Sequence, residues 1–398
     1  MNTDDSIRMR LLACAGRMAS ALAWPALVLA AVACGGNAAE DDADAGGGMA
    51  GSTADAPLST EPIDVDGSEQ WQWVPIDSTL CADGTPAGVG VNFTDDSRDL
   101  VIWFQGNGVC FDMTSCTLYS SILVGMGPDP LDHMWWGDDN TQRTGIFDRT
   151  DPENPFRDSN FVVFPHCGVD GHTADKKATY SSVGMVHQHG YANVTVALSR
   201  IVPTFEDATR VVVAGFSAGG IGAGTNYHQI AEAFEAVGQP PPFLIDDGGP
   251  VLRPPYLGPR AQESLRGGWG MDETIEPWCP RCADEGYHVV LETIAELHPG
   301  MRASVISSYG DSVATPLYGL LNTSLAFNGA RLEEGLHDLS SWTDGLRETV
   351  SPSTQRVFYY PGDRHGALAV APLSATPGLI EFLNAQLDGD EQWTTVEP

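Results

Sequence analysis

Basic residues, and lysine above all, are scarce in this sequence. Its 398 residues include only two lysines, Lys176 and Lys177, and 20 basic residues stand against 53 acidic ones, which gives a net charge of −33. Such a surface repels phosphate backbones and anionic lipid. The composition therefore excludes a nucleic-acid-binding function. We attribute the acidity to solubility or to salty surroundings rather than to cation binding.

Long apolar segments are also scarce, and the one near the N-terminus is short. It runs from Ala21 to Cys34 as "ALAWPALVLAAVAC", which is too short to predict a membrane span. Three arginines precede it, Arg8, Arg10 and Arg17. A charged segment followed by an apolar one predicts an export signal.

The small residues around Cys34 indicate how this signal is processed. Ala31 and Ala33 precede the cysteine and Gly35 follows it, which resembles the cleavage box of bacterial lipoproteins, in which the cysteine takes the lipid. We therefore predict a signal peptide over residues 1–33 and lipidation of Cys34 at the cell envelope. Alanine at position 31, where leucine is usual, departs from that box, and plain secretion is the alternative.

The residues after Cys34 have almost nothing to bury. Gly, Ala, Asp and Ser dominate "GGNAAEDDADAGGGMAGSTADAPLST", so we predict a flexible acidic tether over residues 34–68. The folded domain is predicted over residues 69–398.

Within that domain, short and unbroken apolar runs alternate with helical patterns. The runs are "LVIWFQ" at 100–105, "FVVFP" at 161–165, "VVVAGF" at 211–216, "FLID" at 243–246, "ASVISSY" at 303–309 and "RVFYY" at 356–360. Strands of this kind are covered on both faces, which predicts an α/β fold with a mostly parallel sheet and flanking helices. Helices are predicted at 184–202 and 218–237, and no fixed-period repeat is present.

Two inserts interrupt this alternation and lack a clear period. Residues 111–160 and 249–300 are rich in Trp, Gly, Pro and Asp, which predicts loops that build a substrate cleft as a cap. Four tryptophans in them are candidates to stack on sugar rings, to line an acyl pocket, or to form the core of the cap: Trp135, Trp136, Trp269 and Trp278.

Six cysteines remain after removal of the signal, and an even count in an exported chain favours disulfides. Cys110 and Cys116 flank five residues and Cys279 and Cys282 flank two, so both pairs are candidate local bridges, which leaves Cys81 with Cys167. The "CPRC" motif at 279–282 also permits a redox dithiol or half a zinc site, but no second Cys-rich pair accompanies it.

The segment "VVVAGFSAGG" at 211–220 raises the question of a nucleophile. Glycines two places before and after Ser217 allow a strand to turn sharply into a helix with the hydroxyl held at the bend. Glycine and serine also fill ordinary turns, so the motif needs partners elsewhere in the chain.

A serine nucleophile needs a histidine base and a carboxylate that orients it, and in an α/β-hydrolase these follow in the order serine, acid, histidine. We predict His365 as the base, because it lies in the loop after the last predicted strand. The other downstream histidines are His228, His288, His298 and His337.

For the acid we predict Asp311, which follows the strand at 303–309. The competitors are Asp246 and Asp247 at the end of an earlier strand, and Asp363 close to His365 in sequence. Any of them could instead cap a turn.

Two or more N–H groups must also meet the carbonyl oxygen when it becomes negative. The glycine-rich segment "WFQGNGVCF" follows a predicted strand and can approach the serine closely, and Ala218 begins the helix after the serine. The alternative is a plain glycine turn braced by a bridge between Cys110 and Cys116.

With these residues placed, the chain resembles the pectin acetylesterase and Notum family of serine carboxylesterases. The resemblance lies in five segments: "CADGTPAG" at 81–88, "LVIWFQGNGVCFDMTSC" at 100–116, "FVVFPHCGVD" at 161–170, "AGFSAGG" at 214–220 and "LIDDGGP" at 244–250. It implies an α/β-hydrolase fold, no cofactor, and removal of an acyl group from an oxygen ester. No metal site is predicted.

The resemblance also implies roles for single residues. Ser217 would be the nucleophile, Asp311 the orienting acid and His365 the base. The oxyanion donors would be the backbone groups of three residues, Asn107, Gly108 and Ala218, and the bridges Cys81 with Cys167 and Cys110 with Cys116. Where the family usually has two glycines and a tryptophan, this chain has "GNG" at 106–108, which implies an altered pocket edge.

We therefore predict an exported serine ester hydrolase that deacetylates a polysaccharide or related polymer, with membrane contact only through the lipid anchor. One alternative is a lipid or protein deacylase, or a polyester-cleaving enzyme, with a larger acyl pocket. Another is an inactive binding module on the same fold. The acidity argues against pectin as the substrate at low salt.

Overall fold

The computed structural model of the chain describes residues 59–134, 143–322, 328–349 and 355–398. Of these, the side chains of 347–349 are not described. The predicted signal peptide, the lipidation site Cys34, and Trp135 and Trp136 lie outside the described residues. All described residues fall within one unit, Pro57–Pro398.

Ten strands occur in the described ranges. In chain order they are β1 (Gln72–Leu80), β2 (Pro86–Asn92), β3 (Asp99–Phe104), β4 (Asn160–Phe164), β5 (Lys176–Tyr180), β6 (Gly184–Gln188), β7 (Arg210–Phe216), β8 (Phe243–Asp247), β9 (Arg302–Ser308) and β10 (Gln355–Tyr360). Each of the six predicted apolar runs corresponds to one of these strands, to within a residue at either end.

Eight strands form the central sheet, in the order β1-β2-β4-β3-β7-β8-β9-β10. From β4 to β10 neighbouring strands are parallel, whereas β1 and β2 join antiparallel at one edge. The parallel strands are buried on both faces, which explains their unbroken apolar sequences. The α/β-hydrolase-like fold predicted from the sequence is confirmed.

Eleven α-helices occur in the same ranges. In chain order they are α1 (Met113–Leu118), α2 (Pro130–Met134), α3 (Gly190–Thr204), α4 (Ala218–Glu235), α5 (Pro259–Trp269), α6 (Met271–Thr274), α7 (Arg281–Glu285), α8 (Val290–Leu297), α9 (Ala314–Leu321), α10 (Gly329–Thr349) and α11 (Leu379–Leu387). Two large apolar clusters cover the two faces of the sheet.

The prediction of one helix over 184–202 is wrong at its start. Residues 176–188 form a two-stranded antiparallel hairpin of β5 and β6, and α3 begins only at Gly190. In β5 half-buried and exposed positions alternate, whereas β6 begins exposed and ends with Val186 and Gln188 buried. The sequence of the hairpin does not show the alternation of apolar and polar residues that is typical of a strand, because both of its faces are partly polar.

The second insert is mainly helical, although the sequence predicted loops. Residues 249–300 contain α5 to α8. Pro259 occupies the first turn of α5 and Gly270 closes it in a left-handed conformation, as expected for helix ends. These four helices are short, between 4 and 11 residues, so none of them repeats its apolar positions often enough to show a helical period in the sequence.

Contacts with the folded domain begin before Glu69. Ile63 is buried in the larger apolar cluster, and its N–H donates to the Thr204 hydroxyl over 2.7 Å. The C-terminal end of the predicted tether therefore packs on α3.

Three disulfides join the cysteines in the predicted pairs, Cys81–Cys167, Cys110–Cys116 and Cys279–Cys282. The first ties the loop after β1 to the loop after β4. The second closes a short loop after β3. The third closes "CPRC", so in the described structure this motif is neither a free dithiol nor half of a zinc site.

Candidate active site

Ser217 lies at a sharp bend between the end of β7 and the start of α4. Its backbone has φ 59° and ψ −124°, a sparsely populated conformation for a residue with a side chain, which is typical of functional sites. The bend holds because the Ser217 N–H donates to the Asp247 carbonyl over 2.8 Å. Strand β8 therefore fixes the serine from the neighbouring position in the sheet.

The glycines around this bend allow close approach of the backbone. A Cβ at Gly215 would lie 2.0 Å from the carbonyl oxygen of Gly219, and one at Gly219 would lie 2.0 Å from the carbonyl oxygen of Phe104. A Cβ at Gly106 would lie 2.0 Å from the carbonyl oxygen of Phe216. No larger residue fits at these three positions, so glycine here follows from the packing of β3, β7 and α4.

His365 and Asp311 form a directed pair beside the serine. The Nδ1 atom of His365 lies 2.7 Å from Oδ2 of Asp311. Asp311 is fully buried, and its Oδ1 accepts the N–H groups of Val313 and Ala314 at 2.9 and 2.8 Å. The helix start at α9 thus holds one carboxylate oxygen while the other faces the imidazole. This is the arrangement that fixes a histidine tautomer for general-base work.

The second ring nitrogen of His365 is buried and has no hydrogen-bond partner among the described residues. His365 and Ser217 line the same cavity, and the ring of Phe216, the residue before the serine, lies 4.8 Å from the imidazole ring. The three predicted residues Ser217, His365 and Asp311 are therefore brought to one site.

Among the described residues, no hydrogen bond joins a competing acid to the imidazole, although the charge of His365 acts on Asp247. Asp363 is exposed, and Asp246 binds the Gly249 N–H over 2.8 Å. Asp247 accepts the N–H groups of Ala367 and Leu368 at 2.8–3.0 Å. Asp247 thereby anchors the loop that carries His365. This role was not predicted from the sequence, in which the only signal for it is the position of Asp247 at the end of a buried strand.

The competing histidines are elsewhere or lack a carboxylate partner. His228 and His298 are bonded to each other over 2.9 Å, and His298 contacts Glu235. His337 is half-exposed beside Glu397. His288 lines the cavity against the ring of Trp342, 5.6 Å away between ring centres, and no described carboxylate is hydrogen-bonded to it.

The predicted oxyanion loop lies against the serine bend. Gly108 and Ala218 line the cavity together with Ser217, and the N–H of Ala218, in the first turn of α4, has no intrahelical acceptor. The N–H groups of Asn107 and Gly108 donate to no other described residue. Gly108 and Ala218 are thus next to Ser217 in the cavity, where an ester oxygen would become negative, whereas Asn107 lines a neighbouring cavity.

The cavity that these residues open into has a volume of about 110 Å³ and is mainly apolar. Its apolar wall comes from α4, α5, α8, α9 and the loop after β8. It includes Ile221, Leu257, Leu265, Trp269, Leu291 and Leu317. Trp269 is one of the four tryptophans singled out above and is both buried and part of this wall. Trp278 instead packs on His228.

None of the helices in the described ranges is long and apolar enough to cross a bilayer. Over the same part of the chain, no group of three or more His, Cys, Asp and Glu side chains could hold a metal ion.

Part of the chain that contains Ser217 matches a known protein family. The family model described as Pectinacetylesterase matches residues 74–239. The matched segment includes Asn107, Gly108 and Ser217, whereas Asp311 and His365 lie beyond it. Their assignment therefore depends on the geometry described above.

Three curated relatives are carboxylesterases by name, and their sequence identity to this chain is low. The mouse palmitoleoyl-protein carboxylesterase NOTUM is 28% identical over 170 residues, 41% of this chain and 31% of the relative. The human palmitoleoyl-protein carboxylesterase NOTUM is 28% identical over 170 residues, which cover 41% of this chain and 32% of the relative. The zebrafish (Danio rerio) palmitoleoyl-protein carboxylesterase notum1a is 26% identical over 190 residues, which cover 46% of this chain and 35% of the relative. The matches thus span about a third of each relative's length, and the chain is related to the pectinacetylesterase family at low sequence identity.

Proposed function

We propose, from the relation of this chain to the pectinacetylesterase family, that it hydrolyses carboxylic esters by a serine mechanism. The observation that carries the proposal is the cavity shared by Ser217 and His365, with Asp311 bound to the far nitrogen of the imidazole. The relatives named as carboxylesterases support the reaction class.

In the proposed mechanism each of these groups has a defined role in ester hydrolysis. The Ser217 hydroxyl attacks the ester carbonyl while Nε2 of His365 takes its proton, and Asp311 stabilises the imidazolium that forms. The backbone donors at 107, 108 and 218 meet the negative oxygen. The imidazolium then protonates the leaving alcohol, and an acyl-serine remains. Water, deprotonated by His365, releases the acid and restores the serine. Every group these steps need is a side chain, a backbone N–H or water.

Replacement of the nucleophile tests the proposal. We expect Ser217→Ala to lower kcat on p-nitrophenyl esters by a factor of at least about 10³, because triad members act as a unit. The matched control is Ser264→Ala on the exposed face of α5, which should keep native turnover. Native protein should also label with a fluorophosphonate, and the Ser217→Ala protein should not. A native protein that neither turns over esters nor labels would support the inactive binding module instead.

The cavity favours the larger acyl pocket over the deacetylase predicted from the sequence. A water molecule is held by roughly 10–15 Å³ of such space, and the methyl group of an acetyl ester is about as large as a water. A cavity of about 110 Å³ therefore leaves most of its apolar wall uncovered when the acyl group is acetate. A longer chain would bury that wall, at about 0.8 kcal/mol for each CH₂.

Graded acyl esters test the size of the acyl group. We expect kcat/KM on p-nitrophenyl esters to rise from acetate to chains of medium length. Gly224 on α4 lines the cavity, and nothing lies within 4 Å of a Cβ built there, so Gly224→Leu should shift the preference back to acetate. Gly267→Leu on α5, which has equally open space, is the control. A sharp fall beyond acetate in the native protein would favour the polysaccharide deacetylase.

We also propose that the protein is exported. Three disulfides are typical of an oxidising compartment. Whether Cys34 then holds a lipid is tested by metabolic labelling with a palmitate analogue, which should be incorporated by the full chain and not by its Cys34→Ala variant.

A further inference from the structure

Two buried histidines bind the carbonyl groups of the loop that faces the serine. Nδ1 of His166 lies 2.6 Å from the carbonyl oxygen of Asn107, and Nε2 of His172 lies 2.8 Å from that of Gln105. A carbonyl oxygen only accepts hydrogen bonds, so each of these ring nitrogens carries a proton. Neither histidine has a role in the steps proposed above.

The tautomer of His166 is determined from both sides of its ring. The Gly171 N–H donates to Nε2 over 2.8 Å, so that nitrogen holds a lone pair and the ring is neutral. Burial lowers the pKa of His166 well below its usual value and that of His172 to about 4. The two rings lie 4.7 Å apart, and charging both would add repulsion. Both imidazoles therefore act as neutral donors.

Because the peptide bond is planar, a hydrogen bond that fixes a carbonyl group also fixes the direction of the N–H group of the next residue. In a trans peptide the C=O and the following N–H point in opposite directions. A carbonyl of Asn107 held by His166 thus directs the N–H of Gly108 to the other side, and Gly108 lines the cavity. A carbonyl of Gln105 held by His172 directs the N–H of Gly106 in the same manner. Gly108 has φ 31°, and a glycine-rich loop without these bonds is free to rotate its peptide planes.

The segment that carries the two histidines is itself held firmly. Cys167 in this segment is bonded to Cys81, and the carbonyl of Val169 accepts the Cys110 N–H over 2.8 Å. Val169 and His172 have φ 54° and 57°, which is strained for residues with side chains. Such strain persists only where the surrounding structure imposes it.

From this geometry we infer that His166 and His172 are positioning residues for the oxyanion site. His166 holds the Asn107 carbonyl away from the cavity, so that the N–H group of Gly108 meets the oxygen that becomes negative. His172 holds the Gln105 carbonyl and so fixes the start of the same loop. The inference rests on the proposed serine mechanism.

A pair of nearly isosteric variants tests the donor of His166. We expect His166→Leu to lower kcat, per active site titrated with a fluorophosphonate, by about tenfold or more, since one oxyanion donor is worth about 10²–10³ in kcat. KM should stay within about twofold. His166→Asn, whose amide N–H can replace Nδ1, should recover most of the loss. The inhibition constant of an alkyl trifluoromethyl ketone, which forms a tetrahedral oxyanion on the serine, should rise in His166→Leu in parallel with the fall in kcat.

A merely structural histidine would change the titrated fraction of active protein but not kcat per site or the ketone inhibition constant. Unchanged kcat per site in His166→Leu, or equal losses in the Leu and Asn variants, would overturn the inference. Retained turnover in Ser217→Ala would instead overturn the proposed function, so the two failures are distinct.

A measurement on the native protein covers the case in which His166→Leu does not fold. The ¹⁵N chemical shifts of the two imidazoles at neutral pH should show the proton on Nδ1 of His166 and on Nε2 of His172. The opposite tautomer on either ring, or a charged ring, would contradict the inference.

Discussion

Two adjacent aspartates at the end of β8 show how burial sets the protonation of single residues beside the site. Burial, and then the neighbouring charge of Asp247, raise the pKa of Asp246 to about 8. Burial raises the pKa of Asp247 to about 6, although the N–H groups of Leu368 and Ala367 oppose the shift. At neutral pH Asp246 is therefore the protonated member of the pair, and Asp247 is the anion that anchors the loop of His365.

The raised pKa of Asp246 predicts a pH dependence of stability. Because the folded pKa of about 8 lies above the unfolded value of about 3.9, the folded state binds the extra proton. The stabilisation is complete below about pH 4 and is lost as pH rises to about 8. We expect the free energy of unfolding of the native protein, relative to Asp246→Asn, to fall by roughly 1 kcal/mol per pH unit between pH 6.5 and 8.

Urea unfolding of both proteins at pH 6.5, 7.5 and 8.5 measures this difference. Asp363→Asn, at an exposed position in the loop that also holds His365, is the control and should follow the native curve. A native-minus-variant difference that stays constant over this range would show that Asp246 is already ionised at pH 6.5.

At the scale of elements, the sequence predicted the buried strands that form continuous apolar runs. The antiparallel edge was missed for two reasons. Strand β1 alternates between buried and exposed positions and contains Pro75, and β2, although almost entirely buried, reads "PAGVGVN" with a proline and two glycines, so neither strand leaves a continuous apolar run. Ser217, Asp311 and His365 could be predicted because each follows a strand of the sheet in the hydrolase order.

Other parts of the site could not be predicted, since their contacts join residues that are distant in sequence and lie in loops. Asp247 binds the backbone about 120 residues further along, and His166 binds Asn107 across 59 residues. Neither contact leaves a periodic signal. The pairing of a buried polar side chain with a particular backbone group appears only when the sheet brings the two loops together.

The docking of α5 on the oxyanion loop can be tested with two adjacent glycines. A Cβ at Gly268 would lie 2.3 Å from the carbonyl oxygen of Phe111, whereas nothing lies within 4 Å of a Cβ at Gly267. Next to them, the Trp269 indole N–H donates to the carbonyl of Cys110 over 3.0 Å. The two alanine variants therefore share one helix but differ in the contact they disturb.

We expect Gly268→Ala to destabilise the fold by roughly 1–3 kcal/mol, since the added methyl group overpacks a backbone contact. It should also lower esterase turnover, because α5 would move from the loop. Gly267→Ala should stabilise the fold by about 0.5–1 kcal/mol, which is the helix preference of alanine over glycine. Thermal unfolding monitored by circular dichroism measures both. Equal effects of the two substitutions would show that the Phe111 contact does not determine how α5 docks.

At the scale of the whole molecule, the chain has a net charge of −33, and many of its few cations are bound locally. Arg266 pairs with Glu276, and Arg281 contacts Glu285 and Glu292. The described residues that line the cavity include no lysine or arginine. A polyanionic substrate would therefore approach a surface of its own sign.

This charge predicts opposite salt responses for charged and neutral polymers. At an ionic strength of 0.01 M the Debye length is about 30 Å, and at 0.15 M it is about 8 Å, so repulsion at long range is removed over this interval. We expect kcat/KM on acetylated polygalacturonate to rise severalfold from the lower to the higher salt. The same polymer with its carboxylates methyl-esterified is the matched control, because its length and acetyl groups are kept, and its kcat/KM should change by less than about twofold. Equal responses of the two polymers would mean that the path to Ser217 is screened from the acidic surface, and pectin would then regain its place as a candidate substrate.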